Sequence, residues 1–350
     1  MTEAALSEFN SLVIEPLIAA KPAEPRDSSR LIIVDRVAGT IGHRIFRDLP
    51  DLLVPGDVLV LNRSRVWKAK LPARKSTGGK SELLLMKPES ADLKTWSALA
   101  RKVQPGQTLI CNGEAKALCV RRNPDGSFLF ELSAPLTPPY LETNAEVPLP
   151  QYILKARKTA GLPEGEPDDD SRYQTVFAGV PGSIAAPTAG FHFTPELLDK
   201  IKAKGVDVRY VALHIGWGTF KPVRNEDPAA HVMLGEECSL STETAEALNA
   251  AKKAGSRIIA VGTSSMRVLE TFSDETGRLF AGEGKAGLFI YPGYKFKTAD
   301  AFLTNLHVPS SAPLYMTAAF AGRELLLNAY EEAVEKKYRF YSYGDAMFVT

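Results

Sequence analysis

Four of the five histidines in this 350-residue chain lie in polar, glycine-rich stretches that do not have the composition of a protein core. They are His192, His214, His231 and His307. The ordinary pKa of histidine lies near neutrality, so the side chain can accept or donate a proton at physiological pH. A lone histidine is commonly structural, and four in such surroundings favour an acid–base role for at least one. Both roles stay open at this point.

A second candidate is the segment Gly262-Thr263-Ser264, which directly follows a predicted strand at Arg257–Val261. Between a strand and a helix it would offer backbone N–H groups and hydroxyls at a helix N-terminus, where a carboxylate or phosphate binds well. A sharp structural turn with capping serines would have the same sequence. The segment therefore predicts either an anion site, with Arg267 adjacent, or a capped turn.

Further polar residues follow predicted strands or stand between predicted elements, and they are of types that bind ligands. In open α/β sheets, ligands bind beyond the carboxyl ends of the strands, where most of these residues fall. We therefore take them as candidates for a substrate site. They are Arg172, Tyr173, Gln174, Thr188, Gly190, Gly216, Gly218, Thr219, Phe220, Glu236, Asn305, Arg339, Tyr343 and Asp345.

Several well-known catalytic patterns are absent. Gly79-Lys80-Ser81 is similar to the end of a P-loop, but Arg74 occupies the position of the first glycine. No Gly-x-Gly-x-x-Gly follows a predicted strand, and no Gly-x-Ser-x-Gly elbow is present. The sequence also lacks His-Glu-x-x-His and paired Cys-x-x-Cys, so no metal site is expected.

The elements that must position these residues alternate between helix and strand after about residue 190. Strands that alternate with helices of ten to fifteen residues predict an α/β fold with a layered, mainly parallel sheet. The predicted helices are Thr194–Lys204, Ser241–Ala254 and Arg323–Lys336, and the predicted strands are Val206–His214, Arg257–Val261 and Leu288–Tyr291.

The middle of the chain has a different rhythm, in which short strand-like segments alternate with turn residues. Such spacing predicts a small antiparallel β-barrel. The segments are Leu83–Met86, Trp96–Ala100, Thr108–Ile110, Ala115–Val120 and Phe128–Leu132. Apolar strands at Leu31–Asp35 and Val58–Leu61 precede them. We therefore predict an α/β catalytic domain from residues 1–66 and 150–350 with an inserted barrel domain at 67–149, and a mobile loop within the Pro-, Gly- and Asp-rich connection 142–171.

Charge is distributed unevenly. The chain has a net charge of +1, yet residues 62–158 contain 17 Lys and Arg against 8 Asp and Glu. This asymmetry is typical of a surface that binds a phosphate backbone, although a solvated lysine-rich surface would have the same composition. The candidates for nucleic-acid contact are Arg63, Arg65, Lys68, Lys70, Arg74, Lys75 and Lys80.

Cysteine usage and hydropathy bear on the compartment. The three cysteines have no metal-ligand spacing and indicate buried thiols in a reducing environment. The first residues lack the layout of a signal peptide, and no apolar run approaches the ~18 residues that span a bilayer. We expect a cytoplasmic, monomeric protein without a membrane partner.

Taken in order, the polar segments resemble the S-adenosylmethionine:tRNA ribosyltransferase-isomerase family of queuosine biosynthesis. The resemblance extends over nearly the whole chain. The matching stretches are Pro25-Arg26-Asp27-x-x-Arg30-Leu31, Pro55-Gly56-Asp57-Val58-Leu59-Val60-Leu61-Asn62, Arg65-Val66, Gly78-Gly79-Lys80-x-Glu82, Ala185-Ala186-Pro187-Thr188-Ala189-Gly190, His214-x-Gly216-x-Gly218-Thr219-Phe220 and Arg339-Phe340-x-Ser342-Tyr343-Gly344-Asp345.

The resemblance implies an enzyme that transfers the ribosyl group of S-adenosylmethionine to tRNA and isomerises it. The acceptor would be the aminomethyl group of a 7-deazaguanine base at the wobble position, in the anticodon loop. Loss of a proton from the ribose carbon beside the sulfonium would start the reaction. Adenine would then leave, the amine would attack, and epoxide formation would expel methionine, giving epoxyqueuosine-tRNA without a metal.

That chemistry suggests roles for the candidates. A histidine suits the C–H step as general base, with His192 or His214 before His307. Tyr173, or Asp345 if burial keeps its carboxyl protonated, could donate a proton to adenine. Gly262, Thr263, Ser264 and Arg267 could hold the methionyl carboxylate, and Thr188, Gly190, Gly218 and Thr219 could shape the adenosine pocket.

The chain departs from the family's usual pattern at a few positions. Ser310 stands where a lysine is usual, which removes a charge that could contact a phosphate or carboxylate. Lys70 and Lys155 replace arginine, Gln151 replaces proline and Cys238 replaces tyrosine. Two alternatives follow, a tRNA-binding relative with altered catalysis and a different S-adenosylmethionine-dependent RNA-modifying enzyme.

Overall fold

Apolar runs near the start of the chain form strands that are buried on both faces. The computed structural model describes residues 6–216, 228–231 and 233–350. Its first elements are β1 (Arg30–Asp35), β2 (Thr40–Ile45), α1 (Leu49–Leu52), β3 (Val58–Asn62) and β4 (Ser64–Val66). All five residues of β3 are buried, as expected for the centre of a parallel sheet.

The next six strands close into an antiparallel barrel in the order β10-β7-β6-β5-β8-β9. Because inward and outward residues alternate along each strand, the barrel encloses its own apolar core, which includes Leu71, Leu85 and Phe130. The strands are β5 (Lys70–Lys75), β6 (Lys80–Pro88), β7 (Thr95–Ala100), β8 (Thr108–Cys111), β9 (Lys116–Arg122) and β10 (Phe128–Leu132).

The remainder of the chain alternates helices with strands. Thr194 and Ser241 cap their helices with side-chain oxygens, and a proline follows Thr194 at the first helical position. The elements are α2 (Pro138–Asn144), α3 (Gln151–Thr159), α4 (Asp169–Arg172), β11 (Val180–Ser183), α5 (Pro195–Ala203), β12 (Asp207–Leu213), β13 (Glu236–Leu240), α6 (Thr242–Lys253), β14 (Ile258–Val261), α7 (Gly262–Thr271), β15 (Gly282–Ala286), β16 (Ala301–Asn305), α8 (Ala312–Ala321), α9 (Arg323–Glu335) and β17 (Ala346–Val349).

Nine strands form one sheet in the order β15-β13-β12-β3-β14-β16-β17-β1-β2. Strands β12, β3, β14 and β16 are parallel neighbours, so their carboxyl ends share one edge. Alternate residues enter different cores, as Val60 packs on one face and Leu59 on the other. The predicted α/β fold with a mainly parallel sheet and a small antiparallel barrel is therefore confirmed.

The chain divides into two compact units. The first comprises the residues up to Arg65 together with Gln151–Glu166 and Gln174–Thr350, and the second comprises Val66–Pro150 and Pro167–Tyr173. The predicted α/β domain includes residues 167–173, which group with the barrel in this division. Within that unit, Lys68 forms an ion pair with Asp170.

One local prediction was wrong. Leu288–Tyr291 forms no strand, and the neighbouring strand is β15, which is rich in glycine and charge and lacks an apolar run. This error arose because strand pairing overrode local composition. The connection 142–171 contains helices α3 and α4, and a mobile loop within it stays a prediction.

The three cysteines are buried within two of the three apolar cores. Cys111 and Cys119 belong to the barrel core, and Cys238 belongs to the core of the sheet. Burial raises the pKa of all three thiols, that of Cys111 to about 12. In the described ranges, no helix is both long and apolar enough to cross a membrane.

Candidate active site

His192 lies inside the first unit with a hydrogen bond on each ring nitrogen. Only 3% of the residue is exposed. Its Nδ1 lies 2.7 Å from Ser29 Oγ and its Nε2 3.3 Å from Asn305 Nδ2, while the ring stacks on Phe46 at 4.9 Å. Burial lowers the pKa of His192 to about 4, since desolvation disfavours the charged ring. His192 is therefore neutral at physiological pH.

The amide of Asn305 fixes which ring nitrogen of His192 carries the proton. Asn305 Nδ2 also lies 3.2 Å from the carbonyl oxygen of Tyr341, which can only accept a hydrogen bond. The amide nitrogen therefore faces both partners and donates to His192 Nε2. The proton of His192 must then lie on Nδ1 and be donated to Ser29. Both nitrogens are engaged, which favours a positioning role for His192 over a role as general base.

The turn Thr188–His192 packs against neighbouring segments so closely that it requires small residues. A Cβ on Gly190 would lie 2.7 Å from Thr175 Cγ2, and a Cβ on Gly262 would lie 3.4 Å from that of Ala189. Arg26 Nη1 donates to the carbonyl of Gln174 at 3.0 Å. The structure thus brings together the candidates Gln174, Thr188, Gly190, His192, Gly262 and Asn305.

Helix α7 starts within this cluster. Gly262 has a φ of +83°, which favours glycine, and its preceding N-cap residue, Val261, provides no side-chain hydrogen bond to the helix. Ser264 and Ser265 are buried, and Ser265 Oγ has no hydrogen-bond partner among the described residues. The N–H groups and positive dipole end suit an anion. Anion binding by Gly262, Thr263 and Ser264 stays a prediction.

Arg267, one turn further along α7, forms a buried ion pair with Glu236, and the two residues are 4% and 7% exposed. Its Nη1 donates to Glu236 Oε2 and its Nη2 to the carbonyl of Ala286. The other carboxylate oxygen of Glu236 accepts from the backbone N–H of Gly216 at 2.7 Å. The pair therefore positions Gly216. Contact between Arg267 and a substrate carboxylate stays a prediction.

His214 follows β12 at the same edge of the sheet. Its Nδ1 is buried and has no hydrogen-bond partner among the described residues. The ring faces Gly182, where an added Cβ would lie only 2.8 Å away. Desolvation lowers the pKa of His214, partly offset by Glu237. The lowered pKa keeps the imidazole neutral, and the role of His214 as general base stays a prediction.

Asp345 is a buried anchor for two arginines, with 1% of the residue exposed. Its carboxylate accepts from the backbone N–H of Arg30 at 3.1 Å and that of Arg339 at 2.9 Å, and it forms ion pairs with both guanidinium groups. This environment favours a fixed carboxylate over a proton donor. The other predicted donor, Tyr173, is buried in the second unit. Both roles stay predictions.

The remaining candidates make other contacts. His307 Nε2 is 2.8 Å from Thr304 Oγ1, and desolvation lowers its pKa to about 3. The ring of His231 lies 4.6 Å from that of Phe289, Tyr343 is buried beside Phe191, and Arg172 belongs to the second unit. Ser310 Oγ contacts Asn10 at 3.3 Å. Gly218, Thr219 and Phe220 lie outside the described residues.

Some residues of the cluster were missed from the sequence. Ser29, Arg30 and Tyr341 bond directly to His192, Asp345 and Asn305. The polar run Arg26–Arg30 just before an apolar strand was the only available signal for the first two. In the described part of the chain, no group of three or more His, Cys, Asp or Glu side chains is arranged to hold a metal ion.

A basic groove of about 580 Å³ lies on the barrel of the second unit. Some of its charges are already paired, since Lys70 lies 3.0 Å from Glu146 and Arg74 lies 3.1 Å from Glu114. Within the described ranges, no ion pair engages Lys80, Arg101 or Lys102. The basic residues that line the groove are Lys70, Arg74, Lys75, Lys80, Arg101 and Lys102.

The remaining basic candidates are placed differently. Lys68 bonds to Asp170 and Glu142, and the hydrogen bond to Asp170 is the main cause of its raised pKa. Arg63 and Arg65 are exposed and belong to the first unit. The groove therefore excludes three of the predicted basic residues, Arg63, Arg65 and Lys68. It also includes Arg101 and Lys102, which were not predicted from the sequence.

Comparisons with known proteins agree along the whole chain. The family model described as queuosine biosynthesis protein matches residues 6–349. An S-adenosylmethionine:tRNA ribosyltransferase-isomerase from Pelobacter propionicus is 45% identical over 349 residues, covering 98% of this chain and 99% of the relative. The enzyme of the same name from Symbiobacterium thermophilum is 44% identical over 350 residues, with the same coverage. The crystal structure of S-adenosylmethionine tRNA ribosyltransferase from Thermotoga maritima is 35% identical, with a TM-score of 0.52, covering 95% of this chain and 96% of that one.

The hydrogen bonds of His192 make its titration a test of the site. We expect the ring to be the Nδ1–H tautomer and to protonate near pH 4 instead of 6.5. Because the unfolded chain binds this proton first, stability is lost as the pH falls from 6.5 towards 4. Nitrogen-15 NMR of labelled histidine, assigned with His192→Gln, reports both properties. An Nε2–H tautomer, or a midpoint above pH 6, would contradict the assignment.

Proposed function

Because the chain belongs to the queuosine biosynthesis family of S-adenosylmethionine:tRNA ribosyltransferase-isomerases, we propose that its site catalyses ribosyl transfer to a modified tRNA base. The enzyme is a transferase and isomerase that uses S-adenosylmethionine and tRNA. The single observation that carries this assignment is the match of the family model over residues 6–349. We propose a monomer that needs no metal for the reaction.

The proposed acceptor is the aminomethyl group of a 7-deazaguanine base at the wobble position. A base removes a proton from the ribose carbon beside the sulfonium, whose positive charge stabilises the resulting carbanion. Adenine leaves with the electron pair of its bond to the ribose and takes up a proton. The amine then forms the new bond to carbon, and epoxide closure releases methionine. The enzyme must therefore supply a proton acceptor and a pocket for the departing ring.

We propose His214 as the proton acceptor. Among the three histidines considered, His192 has both nitrogens engaged and His307 bonds to Thr304. His214 alone of these three has a side chain without a hydrogen bond among the described residues, and its lowered pKa keeps it neutral. It also lies two residues from Gly216, whose backbone Glu236 holds. A neutral, unengaged imidazole at a strand end meets the requirements of a general base.

We further propose that the barrel groove binds the phosphate backbone of the tRNA. Six basic side chains line the groove. Among the described residues, its only acidic side chains are Glu82 and Glu146. Phosphate contacts contribute affinity and orientation, whereas the reacting base must be unstacked and held in a pocket. The groove would therefore supply binding energy to the reaction that the first unit carries out.

Adenine release tests the function directly. The purified protein with S-adenosylmethionine and tRNA that carries the aminomethyl-deazaguanine base should form adenine and methionine in equal amounts. Chromatography would measure both products, with unmodified tRNA as the control. Formation of S-adenosylhomocysteine, or tRNA binding without any adenine, would instead support one of the two alternative functions.

Replacement of His214 tests the general base. His214→Ala should lower kcat by about 10²- to 10⁴-fold, the usual contribution of a positioned base. Because the side chain is only half-buried, thermal unfolding should remain close to that of the wild type. His43→Gln, on β2 beside Glu332, is the matched control and should keep normal turnover. A kcat for His214→Ala within threefold of the wild type would exclude this role.

Charge reversal tests the groove. The triple variant Lys80→Glu, Arg101→Glu, Lys102→Glu should weaken tRNA binding and flatten its dependence on salt by roughly one unit of logarithmic slope per lost phosphate contact. The variant Lys116→Glu, Arg121→Glu, Arg122→Glu makes the same charge change on exposed positions of β9, outside the groove. Filter binding over a salt series would compare the two. Equal slopes for both triple variants would show that the groove is not the binding surface.

A further inference from the structure

Tyr341 holds a backbone conformation that its side chain disfavours. Its φ is +73°, in the left-handed region where glycine and asparagine are common and bulky residues are rare. The surrounding chain enforces this conformation. Its N–H donates to the carbonyl of Leu306 at 2.9 Å, and its own carbonyl accepts from Gly344 N–H at 3.0 Å and from Asn305 Nδ2 at 3.2 Å. Strain of this kind is concentrated at functional sites.

The strained residue presents its ring to Tyr152. The ring centroids lie 3.7 Å apart with an interplanar angle of 16°, and the Tyr152 hydroxyl bonds to Ser342. Aromatic pairs prefer offset or edge-to-face packing over such a close face-to-face arrangement. Neither the backbone nor the ring geometry is therefore what stability alone would select.

The stack adjoins the cluster around His192. Asn305 bonds to Tyr341 with one hydrogen of its amide and to His192 with the other. The amide oxygen of Asn305 is buried and has no hydrogen-bond partner among the described residues. Both tyrosines are half-buried, and in the described part of the chain no ring other than that of Tyr152 contacts Tyr341.

We propose that Tyr341, backed by Tyr152, is a stacking platform for a planar nitrogen heterocycle, with the Asn305 amide oxygen beside it as an acceptor for an N–H group. This inference rests on the proposed function, in which two such rings take part. One is the adenine of S-adenosylmethionine, and the other is the modified base of the tRNA. Every base has a π-face, so stacking accepts either ring.

The platform accounts for the strain. The turn at Tyr341 aligns the ring with Tyr152, and the hydrogen bonds from Asn305 and Gly344 hold the turn in place. Asparagine would fit the same φ with less strain but would remove the ring. A residue kept only for packing would lose stability with asparagine, whereas a stacking residue would also lose affinity for one substrate alone.

The test uses Tyr341→Asn. This variant should still fold, because asparagine suits the positive φ and offsets part of the lost contact with Tyr152. Its KM for one substrate should rise about 10- to 100-fold, the range of base–aromatic stacking, with the other KM unchanged. A higher KM for S-adenosylmethionine would assign the platform to adenine, and a higher KM for the modified tRNA would assign it to the base.

Tyr341→Phe keeps the ring and should restore the KM to within threefold of the wild type. Lys337→Asn is the matched control, since Lys337 is an exposed residue of the same segment with a φ of +55°. Both KM values of Tyr341→Asn within threefold of the wild type would overturn the proposal. An equal rise of both KM values with a lower unfolding temperature would also overturn it.

Equilibrium binding separates this inference from the proposed function. Dissociation constants for S-adenosylmethionine and for the modified tRNA can be measured without turnover. Absence of adenine release by the wild type would refute the function, and the binding constants of Tyr341→Asn would still decide the platform. Normal turnover by the wild type with unchanged binding by the variant would refute the platform alone.

Discussion

The buried carboxylate of Asp345 links the start of β1 to the segment that precedes β17. It stands directly before β17 and accepts hydrogen bonds from Arg30, the first residue of β1, and from Arg339. Strands β1 and β17 then run parallel, with Leu31 beside Ala346. Removal of this carboxylate would leave two guanidinium groups without their counter-ion, which is far more costly than the loss of a surface pair. The segment that carries Ser29 and the turn at Tyr341 both depend on this junction.

The parallel centre of the sheet explains why distant residues meet. Strands β3, β12, β14 and β16 run in the same direction, so their last residues lie along one edge. Asn62 there bonds to both backbone groups of Leu213, immediately before His214. Gly262 and Asn305 lie at the ends of the next two strands. A histidine, a helix N-terminus and a hydrogen-bonding amide are thereby placed at one edge by strand direction alone.

The sequence was informative where the signal was local. Periodic strands with turn residues predicted the barrel, and the helices predicted from Thr194 and from Ser241 form, with these two residues as their N-caps. The sequence could not show which side chains pair across the fold. The pairing of Arg267 with Glu236, 31 residues away in the chain, has no local signal. The hydrogen bonds of Ser29 and Asn305 to the ring nitrogens of His192 have none either. Similarly, charge counts do not show that Glu146 and Glu114 pair with Lys70 and Arg74.

The buried cysteines can report on local opening of the cores that contain them. Only the thiolate reacts with alkylating reagents, and burial raises the pKa of all three thiols. The three thiols therefore do not react with alkylating reagents while the cores are closed. Cys111 and Cys119 lie in the barrel core and Cys238 in the core of the sheet, so their exposure would mark different parts of the molecule. The alkylation rates of these native cysteines would thus distinguish local opening of the barrel from local opening of the sheet, without any introduced label.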